Sequence, residues 1–232
     1  MGDAPWLIIA FAPPGVLAEP ALRDAATAVL DDRERARLAR FHFARDRELY
    51  LTMHALQRCL LSAVTGAAPA SWRFGAGPQG KPHVLGHALH INGSHCHGLT
   101  MCAVAGGATV GVDVEPVRDD VPLEVADRFF APAEQAAIRA AAEPARAFLT
   151  SWTLKESYMK ARGLGMTLPL DQFAIALGSP PLLHVEPAWQ DGIAWQLEVL
   201  RPTPDHIAAV CHDAPGARLT VRSDTAWLDA LQ

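Results

Sequence analysis

The sequence of 232 residues predicts an α+β fold, a pseudo-dimer of two similar α/β halves. A strand pattern, a block of helical patterns and a run of short strand patterns follow one another, and helical and strand patterns then recur in the second part of the chain. Gly106 and Gly107 lie between the two series. We therefore predict an N-terminal half at 1–106 and a C-terminal half at 107–232.

The composition favours a globular protein that works in water. Half of the residues are hydrophobic, and the net charge of −5 argues against broad nucleic-acid binding. No stretch reaches the roughly 18 apolar residues of a membrane span, and WLIIAFAPPG (6–15) lacks the basic flank of a signal peptide. Because the four cysteines form no CxxC pair, we expect reduced thiols in a cytoplasmic protein with no membrane or nucleic-acid partner.

The first half begins with an apolar strand at 6–11. Helical periodicity follows at 19–30, 32–40 and 45–65, and Gly66 marks the end of the last helix. Short β-like runs then alternate with Gly, Pro and Asn, and they read SWRF, PHVL, ALHI and LTMCAVA. The half is thus predicted to place helices between its first strand and its later strands.

Two patterns in this region resemble ligand motifs by letter only. GAGPQG (75–80) matches GxGxxG, but Lys81 and Pro82 stand where a helix would have to begin, so we predict a turn between strands. The segment from His83 to His97 contains five histidines and one cysteine, at spacings that match no zinc-site pattern. We assign neither a dinucleotide site nor a zinc site to them.

The second half opens with the strand pattern ATVGVDVEPV (108–117). A helical block covers about 123–162, with Pro132 and Pro144 as first-turn prolines and Gly163 as the stop. Strand patterns return at 172–177, 182–186, 193–200 and 206–212.

The acidic strand VGVDVEP (110–116) places two carboxylates on one face. Because side chains alternate along a strand, Asp113 and Glu115 point to the same side as Gly111, and the intervening valines form a buried face. Adjacent carboxylates raise one another's pKa unless a cation neutralises them, and a few carboxylate oxygens completed by water and phosphate are typical of Mg²⁺ sites. A strand end with both acids in solvent remains the alternative.

The segment SWTLKESYMK (151–160) places Trp152, Glu156 and Lys160 in one row of a helix, and the order of glutamate before lysine favours their pairing. Beside an acidic strand, Glu156 would supply a third metal oxygen or a general base, and Lys160 would hold a phosphoryl oxygen. The alternative is a surface ion pair worth about 0.5 kcal/mol.

Together the two segments resemble the signature motifs of 4'-phosphopantetheinyl transferases. VGVDVEP is followed some forty residues later by WTLKESYMKARGLGM, and FARD (43–46), GKP (80–82), INGSH (91–95) and RFF (128–130) also match. The set is similar to the larger, surfactin-type (Sfp-type) class. The resemblance implies transfer of the 4'-phosphopantetheine arm of coenzyme A to a serine of an acyl or peptidyl carrier protein, with release of 3',5'-ADP.

The resemblance also implies site residues in a cleft between two α/β halves, in a protein that is a monomer. It makes Asp113, Glu115 and Glu156 ligands of Mg²⁺, and Glu156 and Lys160 the catalytic groups. The coenzyme-binding residues that it implies are Arg45, Lys81, Pro82, Ser94, His95, Asp113, Lys155 and Lys160.

Two other functions are compatible with the acidic cluster. One is a different Mg²⁺-dependent phosphotransferase or phosphodiesterase, and the other is a non-catalytic binder of coenzyme A or of carrier proteins. The sequence leaves open whether the carrier serves fatty-acid, polyketide or nonribosomal-peptide synthesis.

Overall fold

The computed structural model describes residues 4–231, which form an α+β fold as predicted. The strands are β1 (Trp6–Ala12), β2 (Phe74–Ala76), β3 (Pro82–Val84), β4 (Leu89–Cys96), β5 (Leu99–Gly106), β6 (Val110–Pro116), β7 (Phe173–Ala176), β8 (Leu182–Val185), β9 (Gln196–Thr203), β10 (His206–His212) and β11 (Arg218–Arg222). The helices are α1 (Pro20–Ala28), α2 (Asp32–Leu38), α3 (Ala44–Thr65), α4 (Leu123–Phe129), α5 (Pro132–Ala140) and α6 (Pro144–Arg162).

The two halves repeat the same order of elements. In the first half, β1 precedes helices α1 to α3 and strands β2 to β5, and the sheet order is β1-β5-β4. In the second half, β6 precedes α4 to α6 and β7 to β10, and the sheet order is β6-β10-β9. Each half also has a separate hairpin, β2-β3 or β7-β8. The chain is therefore an internal pseudo-dimer of two similar α/β units.

The last strand departs from a simple division of the chain at residue 106. β11 pairs in parallel with β1, with Trp6 opposite Arg218, and so extends the sheet of the first half. The 3₁₀ helix that follows, Ala226–Leu231, places Trp227 in the core beneath α3. The boundary at 106 stays a prediction, and the structure adds that the end of the chain returns to the first half.

Within residues 4–231, three apolar cores hold these layers together. One lies between α3 and the first sheet, and a second lies between α6, the second sheet and the β7-β8 hairpin. The third joins the two sheets and contains Val110, Val112 and Val114, each at most 1% exposed. The predicted buried face of the acidic strand is confirmed, and it belongs to the same core as Ile9 of β1.

The helix ends follow the sequence signals. Pro132 and Pro144 begin α5 and α6, where a missing N–H costs no intrahelical hydrogen bond. Gly66 and Gly163 end α3 and α6 with φ of 76° and 67°, a conformation that glycine adopts without a Cβ clash. No helix among residues 4–231 combines the length and apolar character needed to cross a membrane.

Candidate functional site

The acidic strand lies beside a strand of the other half. The Val112 N–H donates to Asn92 Oδ1 at 2.8 Å, and Ser94 Oγ donates to Asp113 Oδ1 at 2.8 Å. Because Asn92 and Ser94 belong to β4, the INGSH and VGVDVEP motifs meet where the two halves join. Asn92 was not among the predicted site residues, yet its amide oxygen links the two strands by accepting from the Val112 N–H.

Gly111 lets helix α6 approach the acidic strand closely. A Cβ at this position would lie 2.2 Å from both the Ser157 carbonyl oxygen and the Ala161 nitrogen. No side chain fits there, because both atoms belong to the helix backbone. The close approach brings Lys160 of α6 within reach of Asp113 on the same face of β6.

Asp113 is the central group of the cleft. Only 4% of its surface is exposed. Its Oδ1 accepts hydrogen bonds from Ser94 Oγ and from Lys160 Nζ, the latter at 2.7 Å. Lys160 Nζ also donates to Ser94 Oγ at 3.1 Å. The second oxygen, Oδ2, is buried and has no hydrogen-bond partner within the described residues. A buried carboxylate oxygen without a partner is costly, so it favours a donor or a cation in the cleft.

The predicted row of α6 residues faces this cleft. Trp152, Glu156 and Lys160 are half-buried, whereas all six residues between them are buried. The predicted pairing of Glu156 with Lys160 is wrong, because the lysine forms its ion pair with Asp113 across the helix–strand interface. Tertiary contact with a buried carboxylate is stronger than an exposed pair within one helix.

The three carboxylates share one electrostatic environment. Burial raises the pKa of Glu115 and of Glu156, and the charge of Asp113 raises both further. The charge of Lys160 acts in the opposite direction on both, and the charge of Arg118 also lowers the pKa of Glu115. Within residues 4–231, no group of three or more His, Cys, Asp or Glu side chains is already assembled as a metal site. The cluster nevertheless favours positive charge.

His95 and Arg45 lie on the side of the cleft formed by the first half. Burial lowers the pKa of His95, and the charge of Lys160 lowers it further. Arg45 is exposed at the start of α3, with Nε 3.4 Å from Asp46 Oδ1. It lines a cavity of about 130 Å³ together with Cys96, the residue after His95. Its guanidinium is accessible to a ligand.

Lys81 joins the β2-β3 hairpin to the other half of the molecule. Its Nζ donates to the Val110 carbonyl at 3.1 Å and to the Ala161 carbonyl at 2.7 Å, and burial lowers its pKa to about 8. The ammonium group is engaged by the protein itself, unlike the ligand-facing role predicted for it. Pro82, the next residue, begins β3 after the predicted turn.

Lys155 lies away from the cleft, contrary to its predicted place among the coenzyme-binding residues. Its side chain is fully buried, and Nζ donates to Glu134 Oε2 and to the Phe173 carbonyl, both at 2.6 Å. A group with no exposed surface and two internal acceptors has no contact to offer a ligand. The sequence analysis missed Glu134, although its place three residues after Ala131 and two after Pro132 is typical of a helix start.

Known proteins resemble this chain over most of its length. The family model described as the 4'-phosphopantetheinyl transferase superfamily matches residues 109–211. The 4'-phosphopantetheinyl transferase HetI of Nostoc sp. is 35% identical over 201 residues, covering 83% of this chain and 81% of the relative. The 4'-phosphopantetheinyl transferase Sfp of Bacillus subtilis is 29% identical over 161 residues, covering 68% of this chain and 70% of the relative.

A solved structure, the holo-[acyl-carrier-protein] synthase of Thermotoga maritima, aligns with a TM-score of 0.38 and 20% identity, over 45% of this chain and 61% of that chain. The family model spans the acidic strand and helix α6. The chain belongs to the 4'-phosphopantetheinyl transferase superfamily.

Proposed function

We propose that this enzyme transfers the 4'-phosphopantetheine arm of coenzyme A to a serine of an acyl or peptidyl carrier protein in the cleft around Asp113, and releases 3',5'-ADP. The environment of Asp113 is the observation that carries the proposal. Asp113 is buried, it accepts from Ser94 of one half and Lys160 of the other, and it retains one unpartnered oxygen. A phosphate ester with its counter-cation would satisfy such a site.

The donor set of the cleft fits Mg²⁺. Asp113, Glu115 and Glu156 are carboxylates, the ligand type that this ion prefers, and the free Oδ2 of Asp113 is available as a ligand. We assign these three residues as the ones that would hold the ion. When bound, Mg²⁺ would supply positive charge beside the pyrophosphate, which lowers the cost of charge that develops there during transfer.

The transfer itself is a displacement at phosphorus. The carrier serine Oγ forms a bond to the β-phosphorus of coenzyme A, and the bond from that phosphorus to the bridging oxygen breaks. The electron pair of the broken bond leaves with 3',5'-ADP, and the serine proton passes to a Glu156 carboxylate oxygen. Burial and the charge of Asp113 raise the pKa of Glu156, which suits a carboxylate to this role.

Lys160 contributes positive charge at the other side of the same carboxylates. Its ammonium bonds Asp113 Oδ1 and Ser94 Oγ, so it is fixed at the edge of the space where phosphate oxygens would lie. An ammonium held in place by protein groups stabilises transition-state charge without having to reorganise during the reaction. Lys160 is therefore proposed as the group that binds a phosphoryl oxygen.

The phosphoadenosine end of coenzyme A is assigned to the first half. Arg45 offers an accessible guanidinium, and Ser94 and His95 lie at the end of β4 next to the carboxylates. Lys81 would act indirectly, by fixing the hairpin that carries Pro82 against β6 and α6. The protein is proposed to act as a monomer, since its two halves already form one cleft. Its proposed location is the cytoplasm.

Measuring 3',5'-ADP release tests the reaction type. The enzyme, coenzyme A and Mg²⁺ are incubated with an apo carrier protein, and in parallel with the same carrier whose acceptor serine is replaced by alanine. A transferase releases 3',5'-ADP only with the intact serine and only while chelator is absent. Equal release in both reactions would identify a phosphodiesterase, and tight coenzyme binding with no release for any carrier class would identify a non-catalytic binder.

A further inference from the structure

We propose that Lys155 is a positioning residue for the transfer reaction: its buried pair with Glu134 sets the rotation of helix α6 that directs Glu156 into the cleft. The inference deepens the proposed function and rests on the role given there to Glu156. Lys155 is fully buried, so it touches neither substrate nor carrier. Any effect on the reaction has to pass through neighbouring protein groups.

The contacts of Lys155 join three elements. Its Nζ donates to Glu134 Oε2 of α5 and to the Phe173 carbonyl of β7. Glu134 in turn accepts from the backbone N–H of Ile175 through Oε1 at 2.9 Å and from that of Ala131 through Oε2 at 3.2 Å. Every oxygen of the carboxylate is therefore occupied. A pair with complete hydrogen bonding is geometrically restrictive, because moving either partner leaves a buried charge unsatisfied.

The position of Lys155 decides what its neighbour does. Consecutive helical residues differ by about 100° around the helix axis, so a helix pinned at Lys155 presents Glu156 in a fixed direction. With Lys155 held on the side of α5 and β7, Glu156 lies in the same helical row as Lys160, whose Nζ binds Asp113 Oδ1. A small rotation of α6 would release the pair and move the candidate base away from its acceptor position.

A second set of contacts connects Lys155 with the surroundings of Glu115, another carboxylate of the cleft. Its Nζ lies 4.0 Å from the ring centroid of Phe173 and 5.0 Å from that of Phe130. Phe130 stacks on Trp152 with centroids 6.3 Å apart and planes 12° apart. Trp152 lines the same small cavity as Glu115. The ammonium thus supports the aromatic rings that form the cavity wall next to Glu115.

The first half contains an equivalent buried ion pair, but no proposed catalytic residue follows it in the chain. Glu34, in the first turn of α2, binds the fully buried Arg58 of α3 at 2.5 Å, and the Arg58 guanidinium lies 5.1 Å from the Phe74 ring of β2. Glu34 and Glu134 are each the third residue of their helix, and each accepts from the backbone N–H of its N-cap. The residue after Arg58 is Cys59, buried in the apolar core. The duplicated pair therefore provides an internal control.

The experiment separates positioning from stability. Glu134→Gln and Lys155→Met each leave one buried charge unpaired, and the double variant leaves none. We expect both single variants to lower Tm and the double variant to recover most of that loss. The kcat of the double variant should nevertheless stay about tenfold or more below wild type, with the KM for coenzyme A unchanged, because misplacing a reacting group by about 1 Å costs up to about 100-fold.

The matched control is Glu34→Gln combined with Arg58→Met. It removes the equivalent pair from the first half, so we expect a comparable change in Tm and an unchanged kcat at a temperature where all variants are folded. Hydrogen exchange adds a readout independent of activity. The amides of 152–160 should exchange faster in the Glu134→Gln/Lys155→Met variant than in the control.

Wild-type kcat in the Glu134→Gln/Lys155→Met variant, or a kcat loss equal to that of the control, would overturn the positioning role. If the double variant does not fold, Glu134→Asp decides, because it keeps both charges and shortens one side chain by a methylene. Its kcat should fall with KM unchanged, and an unchanged kcat overturns the proposal. Wild-type turnover of Glu156→Gln would instead remove the role of Glu156 as the base, on which this inference depends, while leaving the transfer function in place.

Discussion

Glu156 and Lys160 are adjacent on one helical row, yet they serve different partners. Lys160 is bound to Asp113 and Ser94, whereas Glu156 has a pKa raised by burial and by the Asp113 charge. These environments make Glu156 a proton acceptor and Lys160 a fixed cation. The distinction depends on which residue the acidic strand faces, so it is a property of the assembled cleft.

We expect Glu156→Gln and Lys160→Ala each to lower kcat by more than about tenfold, while the KM for coenzyme A changes less. Both interactions should strengthen toward the transition state, so their loss raises the barrier more than it weakens binding. Steady-state assays with an apo carrier measure both parameters, and circular dichroism monitors folding. Variants that lose only thermal stability at normal kcat would make this helix face structural.

At the residue scale, Arg45 tests the coenzyme assignment. If its exposed guanidinium binds the 3'-phosphate, a charge-assisted contact of roughly 1.5 to 3 kcal/mol predicts about 10- to 150-fold tighter binding of coenzyme A than of dephospho-coenzyme A. Arg45→Ala should abolish most of this preference and leave the affinity for dephospho-coenzyme A almost unchanged. Calorimetric titration of both ligands completes a double-mutant cycle.

The control for Arg45 is Arg35→Ala. The Arg35 guanidinium is already occupied by the Leu30 carbonyl and by Asp32, so its loss should leave the ratio of the two affinities as in wild type. If Arg45→Ala weakened both ligands equally, the 3'-phosphate contact would have to be assigned to another residue.

At the element scale, the packing of α6 on β6 depends on a missing side chain. Gly111→Ala would place a Cβ 2.2 Å from helix backbone atoms, so the helix would have to move away from the acidic strand. We expect a stability loss at or above the roughly 1 to 3 kcal/mol typical of overpacking, measured by urea denaturation, together with loss of transfer. The displaced helix would separate Lys160 from Asp113.

Gly93 of β4 is the matched comparison for Gly111. A Cβ there would lie 2.5 Å from Met53 Sδ, an atom of a flexible side chain. Met53 has rotatable bonds with which to move aside, so Gly93→Ala should cost less stability than Gly111→Ala. An equal or larger loss for Gly93→Ala would show that the approach of α6 to β6 is less restrictive than its geometry indicates.

Elements that carry local signals were predictable from the sequence. Pro144 and Gly163 mark the ends of α6 because their backbone constraints act within one turn, and the alternation of VGVDVEP separates the valines from the acids. SWRF was less informative, since Ser71 ends a 3₁₀ turn and the strand begins only at Phe74. β11 was missed because its five residues become a strand only by pairing with β1.

At the scale of the whole molecule, the site exists only where the two halves meet. The first half contributes Ser94 on β4, and the second contributes Asp113 on β6 and Lys160 on α6. Sequence motifs could nominate these residues but not their pairing, because the contacts cross 19 to 66 residues of chain. The same limit explains Lys155: helical spacing gives its direction, but its burial depends on Glu134 of a neighbouring helix.

The most direct test of the whole account follows the carrier protein by intact-mass spectrometry. Apo carrier, coenzyme A and saturating Mg²⁺ are incubated with wild type and with Asp113→Ala. Wild type should add one phosphopantetheine arm to the acceptor serine. Asp113→Ala should remain folded and add it far more slowly, since loss of one charge-stabilising group costs about 2.7 to 4 kcal/mol of barrier.

Two results of this measurement would contradict the account. If the Asp113→Ala variant modified the carrier at the wild-type rate, the cleft around Asp113 would not be the reaction site. The proposed transfer reaction would be refuted if the folded wild-type protein bound coenzyme A but modified no carrier from fatty-acid, polyketide or nonribosomal-peptide systems.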